Sequence, residues 1–359
     1  MSSRKLTIII VTIIIVIAAW NVSQQKAPTT EMAADRLYPQ LLDRLNDAQR
    51  VSIKTASNLT ELTHGKEGWV VANRDNFPAN FSTVKGTLLN LAAARVIEEK
   101  TSKPENYGKL GVAGIEAEKS PSVLIEVSST DAAPFAALII GNKRTSNQQE
   151  IPSYFVRKAD GDTALLVKAE LMISDDPLKW MDTSVLSVAT ERVRSVTISR
   201  AERIPIIVSK EKRGDNFFSL EKIPTGFVPT SRAAVSSFGA LLLDVKFQDV
   251  LAATKVSKLA AESTATVQTF DGLVATLERI EADDKIVVRY SFTFDPDIVV
   301  VTEPKSGDEE AETPSVAVEV AELNAKVESW VYVLPDYKIR LLDKNFDDMI
   351  KPAETAETD

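Results

Sequence analysis

The chain has 359 residues, one histidine, no cysteine and a formal net charge of −9. That acidic balance excludes the broad basic face on which nucleic-acid binding depends. The absence of thiols excludes disulfides and thiolate metal sites, and a hydrophobic content of 44% supports cores for two domains of ordinary size.

Residues 1–5, with Arg4 and Lys5, read as a short cytoplasmic tail. Residues 6–22 read as a transmembrane signal anchor. Between Leu6 and Trp20 lie seven isoleucines, two valines and a leucine, which together favour insertion by on the order of 3 to 6 kcal/mol. As a helix this stretch rises about 25 Å, against a hydrocarbon core of ~30 Å. Leu6, Ile10, Ile14 and Ile17 would meet lipid, and Trp20 suits the interface. Arg4 and Lys5 ahead of the helix predict an N-terminus in the cytoplasm and the bulk of the chain across the membrane. A cleaved signal peptide is the competing reading, but its best cleavage site, Ile17-Ala18-Ala19, runs directly into Trp20. Either way the remainder is exported.

Residues 23–48 read as a linker and short helix, interrupted after Tyr38 by Pro39. From there the predicted architecture is α+β: two similar β-rich modules, each an antiparallel sheet with a covering amphipathic helix. The first module takes residues 49–190. It opens with the alternating strand Arg50–Lys54, turns around Gly65 to Gly68, and continues in a strand at Trp69-Val70-Val71. Phe77-Pro78-Ala79-Asn80 precedes a helix whose apolar stripe is Val84, Leu88, Leu89 and Leu91. Strands follow at Val123–Val127 and Ala137–Gly141. A hairpin then runs from Tyr154 to Lys168 through Asp160-Gly161, a strong turn signal.

The second module takes residues 191–352 and repeats this order. Val193–Ile198 opens it, and a hairpin through Lys212–Asp215 leads to Phe217–Leu220. Phe227-Val228-Pro229-Thr230 precedes a helix with Val235, Phe238, Leu242 and Val245 on one stripe. A closing hairpin is expected from Ser329–Val333 to Ile339–Leu342. The same elements in the same order point to an internal duplication. An acidic loop at 303–314 and a flexible tail at 353–359 complete the reading.

Catalytic chemistry finds little purchase. His64 would have to serve as the base of any triad, yet the chain has no Gly-x-Ser-x-Gly elbow and no thiol; it is expected as a solvated turn residue. The acid pairs Asp160/Asp162, Asp175/Asp176, Asp283/Asp284, Asp295/Asp297 and Asp347/Asp348 are expected to serve turns. Gly108, Gly111 and Gly114 lack the preceding strand and following helix of a phosphate loop. Trp69, Trp180 and Trp330 recur near corresponding element ends; core packing accounts for them, with contact to a partner as the functional alternative. No catalytic residue, metal or cofactor is expected.

Several of these segments together resemble a known family. Leu37–Asp47 running into Val51-Ser52-Ile53, Gly68-Trp69, Leu88-Leu89, Tyr107-Gly108-Lys109-Leu110, Ile140-Gly141, Tyr154-Phe155-Val156 and Lys179-Trp180-Met181-Asp182 are similar to the ordered elements of the membrane-anchored bacterial domain-of-unknown-function 4340 family. The chain departs from that pattern at Gly111, where the family usually carries an acidic residue and a proline. The resemblance implies a non-enzymatic, exported accessory protein. Such genes are often found beside ABC-2-type transporter permeases and gliding-motility-like auxiliary subunits, so it also implies protein–protein contacts within an ABC-type transport complex at the bacterial inner membrane. The alternative is an envelope hydrolase or polysaccharide-binding protein using clustered carboxylates. That alternative requires a cleft holding two or more acids.

Overall fold

The structure, a computed structural model, describes residues 35–117, 119–130, 133–144, 151–171, 173–299 and 315–353. The expected anchor (Leu6, Ile10, Ile14, Ile17 and Trp20), the charges Arg4 and Lys5, the acidic loop 303–314 and residues 354–359 of the tail lie outside them. Among the described residues no helix is long and apolar enough to cross a membrane. The architecture is α+β, with antiparallel sheets and few helices. Contacts divide the chain into two compact units. The first ends at His64, resumes at Phe81 and closes at Asp175; the second takes Gly65–Asn80 and the chain from Asp176 onward.

Strands are numbered along the chain. The early ones are β1 (Arg50–Lys54), β2 (Leu59–Gly65), β3 (Gly68–Val71), β4 (Phe77–Pro78), β5 (Arg95–Thr101), β6 (Val123–Ser128), β7 (Ala136–Arg144), β8 (Ser153–Lys158) and β9 (Ala164–Lys168). In the first unit seven strands run in the order β2-β1-β6-β7-β8-β9-β5. Alternation sets the register: Ile53 pairs with Ile125, and Ile125 with Leu138, so three side chains with no exposure form one row across the sheet. The helix Phe81–Ala93 buries Val84, Leu88, Leu91 and Ala92. Leu89, expected on that stripe, is 40% exposed, because the buried face follows the 84–88–91–92 spacing and Leu89 lies to one side of it.

A second cluster in this unit joins Tyr107, Val112, Ile139 and Ala164, with Leu110, Leu124 and Phe155 packed against it. The helical turn Tyr107–Leu110 ends at Gly111 in the left-handed region, φ 71°. Gly141 on β7 lies backbone to backbone against it. A Cβ at Gly141 would come within 2.6 Å of the Gly111 carbonyl carbon and oxygen.

Strands of the second unit after β3 and β4 are β10 (Ser184–Leu186), β11 (Val193–Arg200), β12 (Ile206–Ser209), β13 (Ser219–Leu220), β14 (Phe227–Pro229), β15 (Val245–Lys246), β16 (Asp249–Ala252), β17 (Ser263–Thr269), β18 (Leu273–Ala282), β19 (Lys285–Phe294), β20 (Trp330–Val333) and β21 (Ile350–Pro352). Its main sheet has the order β13-β12-β11-β17-β18-β19-β20-β16, with β10–β15 and β14–β21 as two small separate pairs. A core cluster of Val256, Ile280, Val287 and Val331 lies in this unit. The helix Val316–Val327 packs on β19. There the Asn324 side chain accepts from the Phe292 N–H at 2.9 Å and donates to its carbonyl at 2.8 Å.

The seven-strand order of the first unit reappears in the second as β12-β11-β17-β18-β19-β20-β16. On this alignment β8 and β9 correspond to β19 and β20. The tight turn between Lys158 and Ala164 is replaced in the second unit by the long connection from Phe294 to Trp330.

Three expectations are corrected. Ile339–Leu342 is not the return strand of a hairpin; it belongs to the helix Asp336–Leu342. Strand β20 already has β19 and β16 on its two sides, so no edge is free to receive a return strand. The long helix expected after Thr230 is short, Arg232–Ser236, followed by a 3-10 turn at Ser237–Ala240. Val235, Phe238, Leu242 and Val245 are all buried as expected, but Val245 is drawn into β15, which pairs with β10. His64 stands on β2 and not in a turn. It is exposed, and its N–H donates to the Gln49 carbonyl at 2.8 Å.

Candidate functional site

Period-two alternation on β1 sends Val51 and Ile53 inward and sets Arg50, Ser52 and Lys54 on the opposite face. In register, Ser52 sits between Glu61 of β2 and Glu126 of β6, and Arg50 lies opposite Ser128. Arg50 pairs with Glu61. Lys54 donates to Glu126 Oε2 at 2.9 Å. These side chains, with Pro134, frame a shallow depression of about 190 Å³ lined by Arg50, Ser52, Lys54, Glu126, Ser128 and Pro134. At its centre Ser52 is only 5% exposed, and its Oγ has no hydrogen-bond partner. A buried hydroxyl left in that state costs about 1–3 kcal/mol.

The turn after β1 is tied down close by. Thr55 and Asn58 donate to Asp175 Oδ2 at 2.8 and 3.0 Å, and Thr60 donates to the Asp175 carbonyl at 2.9 Å. The hydrogen bond from Thr55 is the main reason the Asp175 carboxyl is held below its usual range; Asn58 adds to it against the opposing effect of burial.

The second unit concentrates its charges in two networks. Arg192 grips Glu319 with two guanidinium nitrogens, at 2.8 and 2.7 Å, and Asp271 through Nε at 2.8 Å. Burial alone would raise the Asp271 carboxyl. Hydrogen bonds from Arg192 and Thr269 and the charges of Arg192 and Arg213 outweigh it and hold the pKa low. The other network joins the Ala72–Phe77 segment to β16. Arg74 pairs with Asp249 at 2.8 Å, Asp75 accepts from the Ala252 N–H at 2.9 Å and from Lys255 at 2.6 Å, and Lys285 also reaches Asp249 at 2.9 Å. Phe77 stacks edge-on against Phe247 and Trp330, with centroids 5.2 and 4.8 Å away.

Of the residues singled out by sequence, the three tryptophans meet one segment. There the Ala79 N–H donates to the Trp69 carbonyl at 2.8 Å, the Asn80 N–H donates to the Trp180 carbonyl at 2.6 Å, and the Phe77 ring lies against Trp330. The acid pairs sit at separate turns and caps. Trp69 and Trp180 are 8% and 1% exposed, while Trp330 keeps partial exposure beside Phe77. Of the acid pairs, Asp176 and Asp295 cap 3-10 turns, accepting from Leu178 and Asp297, and Asp348 forms a capping box with Asn345. Asp283 and Asp284 make the β18–β19 turn, and Asp160 and Asp162 lie in the β8–β9 turn. Among the described residues no group of three or more His, Asp or Glu side chains is placed to hold a metal ion. Gly108 and Gly111 belong to the Tyr107 helical turn and its cap. Sequence reasoning passed over Ser52, Glu126 and Ser128, although the polar alternation Arg50/Ser52/Lys54 carried the signal.

A family model described as a domain of unknown function (DUF4340) matches residues 69–285, more than half of the chain. The match begins at Trp69, takes in the Tyr107–Leu110 and Ile140-Gly141 elements that meet at β7, and ends at the first residue of β19. The Leu37–Asp47 segment precedes it. No curated protein sequence matches the chain.

Proposed function

Since the chain belongs to the DUF4340 family, a domain of unknown function, we propose that it is a non-enzymatic, membrane-anchored accessory protein acting through protein–protein contacts as an auxiliary component of an ABC-type transport complex. Its N-terminus lies in the cytoplasm of a bacterial cell, one helix over residues 6–22 spans the inner membrane, and the two units lie outside. The observation that carries this reading is the apolar run from Leu6 to Trp20 behind Arg4 and Lys5. Tethering raises the concentration of the exported units near other membrane proteins, so modest contacts suffice for association. The finer architecture is one module present twice, each copy a sheet with a covering helix. The shared seven-strand order supports that duplication. The turn and cap roles of the acid pairs support a non-catalytic body.

Crosslinking in intact membranes followed by mass spectrometry tests the proposal. Permease subunits should be recovered reproducibly with the full-length chain. Recovery of no reproducible membrane partner would overturn it. Protease added to sealed spheroplasts should remove the two units; protection until lysis would overturn the orientation.

A further inference from the structure

We propose that the depression over Ser52 is a binding site for a single carboxylate group. A hydroxyl that is 5% exposed and without a partner is a standing cost to the fold, and a bound acceptor removes it. The donors around it can receive an anion. Arg50 and Lys54 stand two residues to either side of Ser52 on the same face of β1, Ser128 adds a second hydroxyl, and the two acids that flank Ser52, Glu61 and Glu126, are each already paired with one of these cations. The guanidinium of Arg50 carries five N–H donors and the ammonium of Lys54 three, so their contacts to Glu61 and Glu126 leave donors over. Arg50 and Lys54 are half-exposed, with side-chain exposures of 49% and 39%, so they can swing to uncover the hydroxyl. A depression of about 190 Å³ has room for a planar carboxylate group. The carboxylate belongs either to a small free acid or to an acidic residue of a docked protein.

The test is saturation-transfer NMR of acetate with the full-length protein in detergent, at fixed ionic strength, against Ser52→Ala and Ser128→Ala variants. Acetate should bind in the millimolar range, and each variant should reduce binding at least fivefold. Hydrogen-exchange protection of β1 and β6 in Ser52→Ala should be unchanged or higher, because the substitution removes an unpartnered polar atom. No acetate signal, or an equal signal in Ser52→Ala, would overturn the site. Loss of β1 protection in Ser52→Ala would assign the hydroxyl to the fold and overturn it too. Acetate is read on the isolated chain, so the site stands or falls apart from the transport proposal. Where the site holds, loss of crosslinked partners in Ser52→Ala cells marks a protein-borne carboxylate, and unchanged partners mark a free acid.

Discussion

Gly141 passes so close to the carbonyl of Leu110 that no side chain fits between them. Two elements of the family pattern, Tyr107-Gly108-Lys109-Leu110 and Ile140-Gly141, are therefore one device. The first supplies a helical turn that Tyr107 and Leu110 press onto the sheet. The second supplies the bare backbone that lets it approach. Substituting Gly141→Ala should destabilise the first unit by about 1–3 kcal/mol, since a methyl there must displace backbone and not the end of a flexible side chain. Hydrogen exchange of the β6 and β7 amides should report it, while the amides of β17 and β18 keep their protection. Equal protection in the variant would show that the turn yields freely.

Asp75 gives the β16 edge its partner. Its backbone is left-handed, φ 55°, and its carboxylate takes the Ala252 N–H. Asp75→Ala should cost the second unit about 1–3 kcal/mol by removing the charged acceptor of that part-buried donor. Asp75→Asn, which tolerates the same backbone and keeps an acceptor, should cost less. Trp69, Trp180 and Trp330 all lie in this unit, so their fluorescence during urea unfolding reads the difference.

Acid should loosen the second unit through Asp271. The folded carboxyl titrates below its ordinary value of 3.8. Its contribution is thus fully present above about pH 4 and is lost as pH falls through the lower, folded pKa. Asp271→Asn should begin less stable at pH 7 and show a shallower decline between pH 5 and 2. Parallel decline in variant and parent would remove Asp271 from the acid response.

Lys338 is 4% exposed, and its ammonium donates to the carbonyls of Ala240, Leu241 and Leu243. It closes the segment where the expected long helix stops. Lys338→Met keeps the aliphatic stem but leaves three carbonyls without that donor, and should cost on the order of 3 kcal/mol. A urea midpoint followed by tryptophan emission measures it; an unchanged midpoint would mean that water replaces the ammonium.

Elements specified by neighbouring residues were legible. The β8–β9 hairpin follows from Asp160-Gly161 between alternating runs, and the Phe81–Ala93 helix follows from the spacing of its buried residues. Strand β2 escaped notice because one of its two buried positions is Thr60, which does not read as apolar. The polar depression was equally hidden. Arg50, Ser52 and Lys54 look like an ordinary solvent face until β2 and β6 set Glu61 and Glu126 beside them.

What the amino-acid order determined alone is what a few adjacent residues can decide: the period of each apolar run, the turn chemistry, the caps, and the family pattern. Pairing decided the rest. Ile339–Leu342 carries an apolar pattern short enough for strand or helix, and it became helix because β20 had no open side. Val245 continued a helical stripe and became strand because β10 offered a partner. The equivalence of β19 and β20 with the β8–β9 hairpin is invisible along the chain, where a long connection separates them. A sheet joins residues by backbone hydrogen bonds across any sequence distance, so only the assembled strands reveal which edges are taken.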